Sequence, residues 1–174
     1  DLVSPNYTPG TQPGDYQFVP PYDFTFAQDF RHATPFGLKS PKQFRVPAPP
    51  TLTSRTYAKA YKEVKSVGAI NSTTRTTDQS NYANWWYEGS EIGWARVARV
   101  TTTSEELKLW RAARMFALVN MSLYDSYVAG WDSKYHWDFW RPYTAIRAGD
   151  TDGNRRTVKD ASWQSYLETP PVQD

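Results

Sequence analysis

No cysteine occurs among the 174 residues, so the chain has no disulfide framework and no thiolate with which to bind a metal. That absence fits any cellular compartment. Histidine is nearly as scarce: His32 and His136 are the two present, which leaves no metal-ligand cluster and no Ser-His-Asp order. An excess of one charge is missing too. Twenty Lys and Arg against 18 Asp and Glu give a net charge of +2, too weak a field to argue for nucleic acid or an anionic membrane as partner. No clean apolar stretch approaches the ~20 residues of a membrane span. Internal repeats and Gly-rich phosphate loops are also lacking. No signal peptide is visible at Asp1, but a mature secreted chain has lost its own, and a secreted or periplasmic location is expected.

Aromatic residues are abundant instead, with 8 Trp, 12 Tyr and 8 Phe. Ten of the 13 prolines fall within residues 1–53, which excludes a sustained helix or a central strand there. The same segment holds Tyr16, Phe18, Tyr22, Phe24, Phe26, Phe30, Phe36 and Phe44. It therefore reads as an extended arm wrapped across a domain, in preference to a Pro-rich ligand for another protein.

Residues 54–174 read as helical. Thr53 or Ser54 caps a first helix carrying Tyr57, Tyr61 and Val64, with Gly68 as its stop. Thr77 or Asp78 opens a second, which carries Tyr82, Trp85 and Trp86 and closes at Gly89. The Trp85-Trp86-Tyr87 cluster is expected to be a packed helix face more than a ligand platform. A short helix near 91–100 is also possible on this pattern. The strongest helix is expected from Thr103 or Ser104, where Thr103 and Glu106 have capping-box spacing. Its apolar residues surround the axis over 107–130, the mark of a helix central in its domain. Asp125 on that helix has two readings, a hydrogen-bonded core carboxylate or an anchor behind a neighbouring anion site. Asp150, Asp152 and Asn154 open like a calcium loop, but Gly153 comes too early and Ala161 stands where a bidentate glutamate is needed. A turn built on Asx side chains is expected there.

The chemistry concentrates in Trp131-Asp132-Ser133-Lys134-Tyr135-His136-Trp137-Asp138-Phe139-Trp140-Arg141-Pro142. Lys134 is a point charge, and Arg141 offers a planar fork of donors suited to tetrahedral oxyanions. Seven residues are two helical turns, which would set both side chains on one face about 10 Å apart. Pro142 disfavours helical geometry at Arg141 and suits the first position of a new helix, so Arg141 is expected at a break before a helix over 142–148. This spacing proposes an oxyanion pocket. The plainer reading pairs the two cations with Asp132 or Asp138 near a helix end. His136, between them, reads as a hydrogen-bonded aromatic more than a base.

Lys-x6-Arg-Pro resembles the first signature motif of the vanadium-dependent haloperoxidase and type 2 phosphatidic acid phosphatase (PAP2) superfamily. Trp131, the Trp140-Arg141-Pro142 step and Ala145-Ile146-Arg147 are similar to the chloroperoxidase-like branch. So are Ala112-Ala113-Arg114 through Asp125, and Asp152-Gly153-Asn154 ahead of Thr169-Pro170-Pro171. The resemblance spans most of residues 36–171. It implies an all-α fold, the N-terminal portion of a helical bundle, with 54–174 in the catalytic domain. It further implies that Lys134 and Arg141 bind oxygens of vanadate or of a phosphoryl group, that Trp131 lines the pocket, and that Asp125 stands behind it. In a haloperoxidase, vanadate takes up hydrogen peroxide and halide is oxidised. In a phosphatase of the superfamily, the same pocket holds a phosphoester and a histidine forms a phospho-enzyme intermediate. The flanks favour the haloperoxidase. A third reading is an inactive fragment or a non-catalytic helical module.

The family's second motif follows a Pro-Pro stretch, and its third supplies an arginine and the histidine that bonds vanadate. The chain ends at Asp174 before either, and His32 and His136 match neither position. Direct bonding to the metal is thus not expected from this chain. Its principal partner is expected to be the C-terminal remainder of the same protein, either continuous with it or a separate chain cut at a surface loop over 169–174. Without it, no turnover is expected.

Overall fold

The structure, a computed structural model, describes residues 3–4 and 7–168; the loop expected at 169–174 lies outside them. The described chain is mostly helical, as expected. Helices α1 (Arg55–Val67), α2 (Thr77–Tyr87), α3 (Ser90–Ser104), α4 (Leu109–Trp137) and α5 (Pro142–Arg147) follow a largely extended N-terminal segment. That segment contributes β1 (Val3–Ser4) antiparallel to β2 (Thr25–Phe26), and two 3-10 turns at Gln28–His32 and Pro41–Phe44. Among the described residues, no helix is long and apolar enough to cross a membrane.

Helix ends follow local chemistry where the sequence supplies caps. The Ser54 hydroxyl accepts from the Tyr57 N–H at 3.0 Å to start α1, and Gly68 closes it. Thr76 and Gln79 form a reciprocal capping box at α2. Pro142 occupies the first turn of α5, with extended Arg141 as N-cap. Asp152 and Asn154 build the expected Asx turn: Asp152 Oδ1 accepts from the Asn154 N–H (2.8 Å) and the Thr157 hydroxyl (2.9 Å). Asn154 in turn donates to the Leu52 and Ser54 carbonyls and fixes this turn to the start of α1.

Three expectations are corrected. The long helix begins at Leu109, not at Thr103 or Ser104, which are the end of α3. The Thr103 hydroxyl does not cap forward; it donates back to the Arg99 carbonyl at 3.0 Å, a bond that Ser and Thr make readily inside a helix. Glu106, at φ 47°, then breaks the chain before α4 starts at extended Lys108. Second, α4 is not enclosed all round. Val128 is fully buried, whereas Trp110 is 85% exposed and Leu109, Leu118 and Met121 are exposed with it. Third, the Trp85-Trp86-Tyr87 cluster is not a packed face: α2 buries no residue and Trp86 is 67% exposed.

The N-terminal segment is bound along the second half of α4. Trp131 Nε1 and the Tyr135 hydroxyl both donate to the Phe26 carbonyl, at 2.9 and 3.0 Å. Arg45 forms a two-pronged ion pair with Asp132 at 2.7 and 2.8 Å, and Trp137 Nε1 donates to the Val46 carbonyl. The segment also stitches the break between α4 and α5. The Tyr16 N–H donates to the Asp138 carbonyl (2.7 Å) and the Trp140 N–H to the Gly14 carbonyl (2.9 Å). Gly14 sits at φ +99°, a conformation that a side chain would strain. Behind the break, Ala145 and Ile146 of α5 pack with Tyr57, Tyr61, Trp140 and Trp163. Each large apolar side chain so enclosed contributes about 1.5–3 kcal/mol.

Candidate functional site

Helix α4 ends at Trp137, and Asp138 caps it in the left-handed conformation at φ 45°. Lys134 therefore projects from the last turn of α4, whereas Arg141 stands beyond the break as the N-cap of α5. The two do not share a face of one helix, as the seven-residue spacing suggested; the break anticipated from Pro142 is the feature that holds. Helix α5 has six residues, too few for its N-terminal field to count.

The Lys134 ammonium lies 5.1 Å from the centre of the Trp131 ring and 5.0 Å from that of Tyr135. These ring faces favour a cation but supply no counter-charge. Burial pulls the Lys134 pKa down to about 8, and the nearby Arg141 charge pushes the same way. The Arg141 guanidinium lies 5.8 Å from the centre of the Tyr16 ring. Tyr135, also near both cations, is pushed up to about 12, chiefly by burial and further by Tyr16, while Arg141 opposes the rise.

Neither cation has an anion among the described residues. The plainer reading, pairing with Asp132 or Asp138, is not what forms. Asp132 is taken by Arg45, whose hydrogen bonds hold its carboxyl below the usual range. Asp138 accepts from the Tyr7 hydroxyl at 2.6 Å. Charged groups withdrawn from water are ordinarily paired, and among the described residues neither Lys134 nor Arg141 has an ion-pair partner.

Asp125 takes the first of its two readings. Its carboxylate accepts backbone N–H bonds from Phe36 (2.7 Å), Gly37 (2.7 Å) and Leu38 (3.1 Å), and none of its bonds reaches Lys134 or Arg141. Burial acts to raise its pKa, but the three donors prevail and the net direction is down. Stability from this group is thus present above the ordinary value of 3.8 and lost as pH falls below it through the depressed folded value. Asp125→Ala is expected to lower the melting temperature at pH 7 and to speed amide hydrogen exchange at residues 36–38, with a smaller penalty at pH 3.

His136 is exposed, 3.4 Å from Arg45 and edge-on to Trp137, and His32 accepts from Arg31. Neither contacts Lys134 or Arg141. Among the described residues, no group of three or more His, Cys, Asp or Glu could hold a metal ion. Tyr16 and Tyr135 are the site residues that sequence reasoning missed. Tyr135 adjoins Lys134 in sequence, but Tyr16 gave no local signal, since it arrives through the backbone pairing of Asp15 with Phe139.

Comparison with known proteins bears out the resemblance. A family model described as the VCPO second helical-bundle domain matches residues 114–174, a stretch that includes Asp125, Trp131, Lys134 and Arg141. The chain is similar to a vanadium chloroperoxidase of Curvularia inaequalis, 28% identical over 163 residues. That match takes in 76% of this chain but 26% of the relative, so the chain spans about a quarter of the relative's length. Both findings support the vanadium haloperoxidase-like family.

Proposed function

We propose that this chain supplies the cationic half of a vanadate site in a haloperoxidase that oxidises halide with hydrogen peroxide. The observation that carries the reading is the pair Lys134 and Arg141, both half-buried, with no carboxylate bound to either among the described residues. The donor set fits the group: an ammonium and a guanidinium satisfy the oxygens of a tetrahedral oxyanion and leave the bond to the central atom to another residue. When bound, vanadate would supply the activation of peroxide toward halide.

This chain's own residues account for binding and charge control. Lys134 and Arg141 neutralise anionic oxygens, and Trp131 and Tyr135 keep water from the Lys134 ammonium, which strengthens its attraction for them. Below pH about 8 Nζ carries a proton to donate. A bound anion favours that charged form and stabilises it against loss as pH rises. The remaining histidine, arginine and hydroxyl donors come from the C-terminal remainder of the polypeptide.

The test uses the complete polypeptide with added vanadate, peroxide and bromide or chloride. Lys134→Ala and Arg141→Ala are each expected to lower halide oxidation on the order of 10²–10³-fold, the usual cost of losing one oxyanion-stabilising donor. Halide oxidation unaffected by either change contradicts the proposal. Phosphoester hydrolysis without vanadate-dependent halide oxidation replaces it with the phosphatase reading.

A further inference from the structure

Residues 14–16 of the N-terminal segment pair with 138–140, the stretch that separates Lys134 from Arg141. The Tyr16 N–H donates to the Asp138 carbonyl at 2.7 Å, the Trp140 N–H to the Gly14 carbonyl at 2.9 Å, and Asp15 forms a bridge with Phe139. This pairing fixes the chain just before Arg141 and brings the centre of the Tyr16 ring to 5.8 Å from the guanidinium, inside the roughly 6 Å over which a ring face attracts a cation. Tyr16 is buried, and the rings of Tyr7 and Phe18 meet it edge-on at 5.6 and 6.4 Å. The Tyr7 hydroxyl is tied in turn to Asp138. Tyr16 is therefore braced from its own segment.

Other arginines of the molecule are held by acceptors: Arg45 by Asp132, Arg75 by the Val67 and Ala69 carbonyls, and Arg147 by the Trp163 carbonyl. Arg141 differs. Among the described residues no acceptor binds its side chain, and the Tyr16 ring stands in that place. An acceptor that fixes an arginine occupies its N–H donors, and a carboxylate also cancels its charge. A ring face attracts the cation and does neither.

We propose that Tyr16 is a positioning residue for Arg141, holding the guanidinium near Lys134 with its donors open to an oxyanion. The inference rests on Arg141 as an oxyanion-binding residue and gives the N-terminal segment a part in the site. Lys134 is placed by the last turn of α4. Arg141, an extended residue between two helices, is placed by a ring that arrives from more than 100 residues earlier in the chain.

Calorimetric titration of the full chain with vanadate tests this through a double-mutant cycle. Tyr16→Leu is expected to weaken vanadate binding roughly 3–10-fold, the scale of a lost cation–π contact. Tyr16→Phe keeps the ring and should bind as the native chain does. Arg141→Ala should weaken binding more than Tyr16→Leu. In the Arg141→Ala background, Tyr16→Leu should cost no further affinity while still lowering the melting temperature, whereas a residue that only supports the fold would lower both in either background. Tyr16→Met, a flexible apolar side chain, replaces Tyr16→Leu where leucine prevents folding. Native affinity in Tyr16→Leu, equal losses in Tyr16→Leu and Tyr16→Phe, or a further loss in the Arg141→Ala background overturns the assignment while Arg141 keeps its role. No vanadate binding by the native chain, or binding indifferent to Arg141→Ala, overturns both.

Discussion

Lys134→Met is expected to stabilise the anion-free chain at pH 7 by roughly 2–3 kcal/mol, although it deletes a residue assigned to the functional site. The physical reason is the depressed pKa. In the unfolded chain the ammonium titrates near its ordinary 10.5, and burial pulls it down to about 8 in the fold. Each pH unit of that gap is ~1.4 kcal/mol against the charged form. Between pH 8 and 10.5 the unfolded state binds more protons, so stability rises with pH across that window; below pH 8 the whole cost of the buried charge is present. Methionine retains an unbranched apolar stem beside Trp131 and Tyr135 without that cost. Denaturant unfolding at pH 7 and pH 10.5 checks this: the gain from Lys134→Met should be largest at pH 7 and shrink towards zero at pH 10.5. A variant less stable than the native chain at pH 7 would mean that the ammonium has a partner which offsets its burial. The same substitution should abolish tight oxyanion binding, so stability and affinity should move in opposite directions.

Ile146→Ala should have an effect of similar size and opposite sign. Ile146 is 1% exposed and packs among Tyr57, Tyr61, Trp140, Ala145 and Trp163. Its carbonyl accepts from the Asp160 N–H at 3.0 Å and from the Tyr61 hydroxyl at 3.3 Å. Truncation leaves a cavity that these rings cannot readily fill, for a loss of about 2–5 kcal/mol. The backbone bonds remain, so the loss reports packing alone. Because α5 begins at Arg141, looser packing of Ile146 should also weaken oxyanion binding while the side chains that hold the anion are unchanged. Thermal unfolding and vanadate titration of the same variant check both parts; a loss below 1 kcal/mol would contradict the enclosed packing.

Much of this site was legible in the sequence because short-range rules govern it. Pro142 cannot continue a helix through Arg141, so a break there follows from covalent geometry, and it forms. Ser54 and Gly68 bound α1 for similarly local reasons. The start of α4 was misread because Thr103 had two available bonds, forward as a cap or back to Arg99, and tripeptide-scale reasoning does not choose between them. The exposure of Trp86 and Trp110 was illegible for a different reason: apolar periodicity marks a face but not whether anything packs on it. Long-range partners were hardest. That Asp132 is engaged by Arg45 and Asp138 by Tyr7, which leaves Lys134 and Arg141 unpaired among the described residues, depends on contacts 87 and 131 residues apart. The Lys-x6-Arg-Pro spacing located the cations; the fold of the arm determines that they remain available.

The most direct test of that availability is an NMR titration of the Lys134 side-chain Nζ in the isolated chain, without and with vanadate. A midpoint near 8 without the anion, and a clear upward displacement when vanadate is added, is the result expected of a buried cation that lacks its counter-charge. A midpoint at the ordinary 10.5 that vanadate does not move would mean that Lys134 is already solvated or paired, and that the chain holds no oxyanion there.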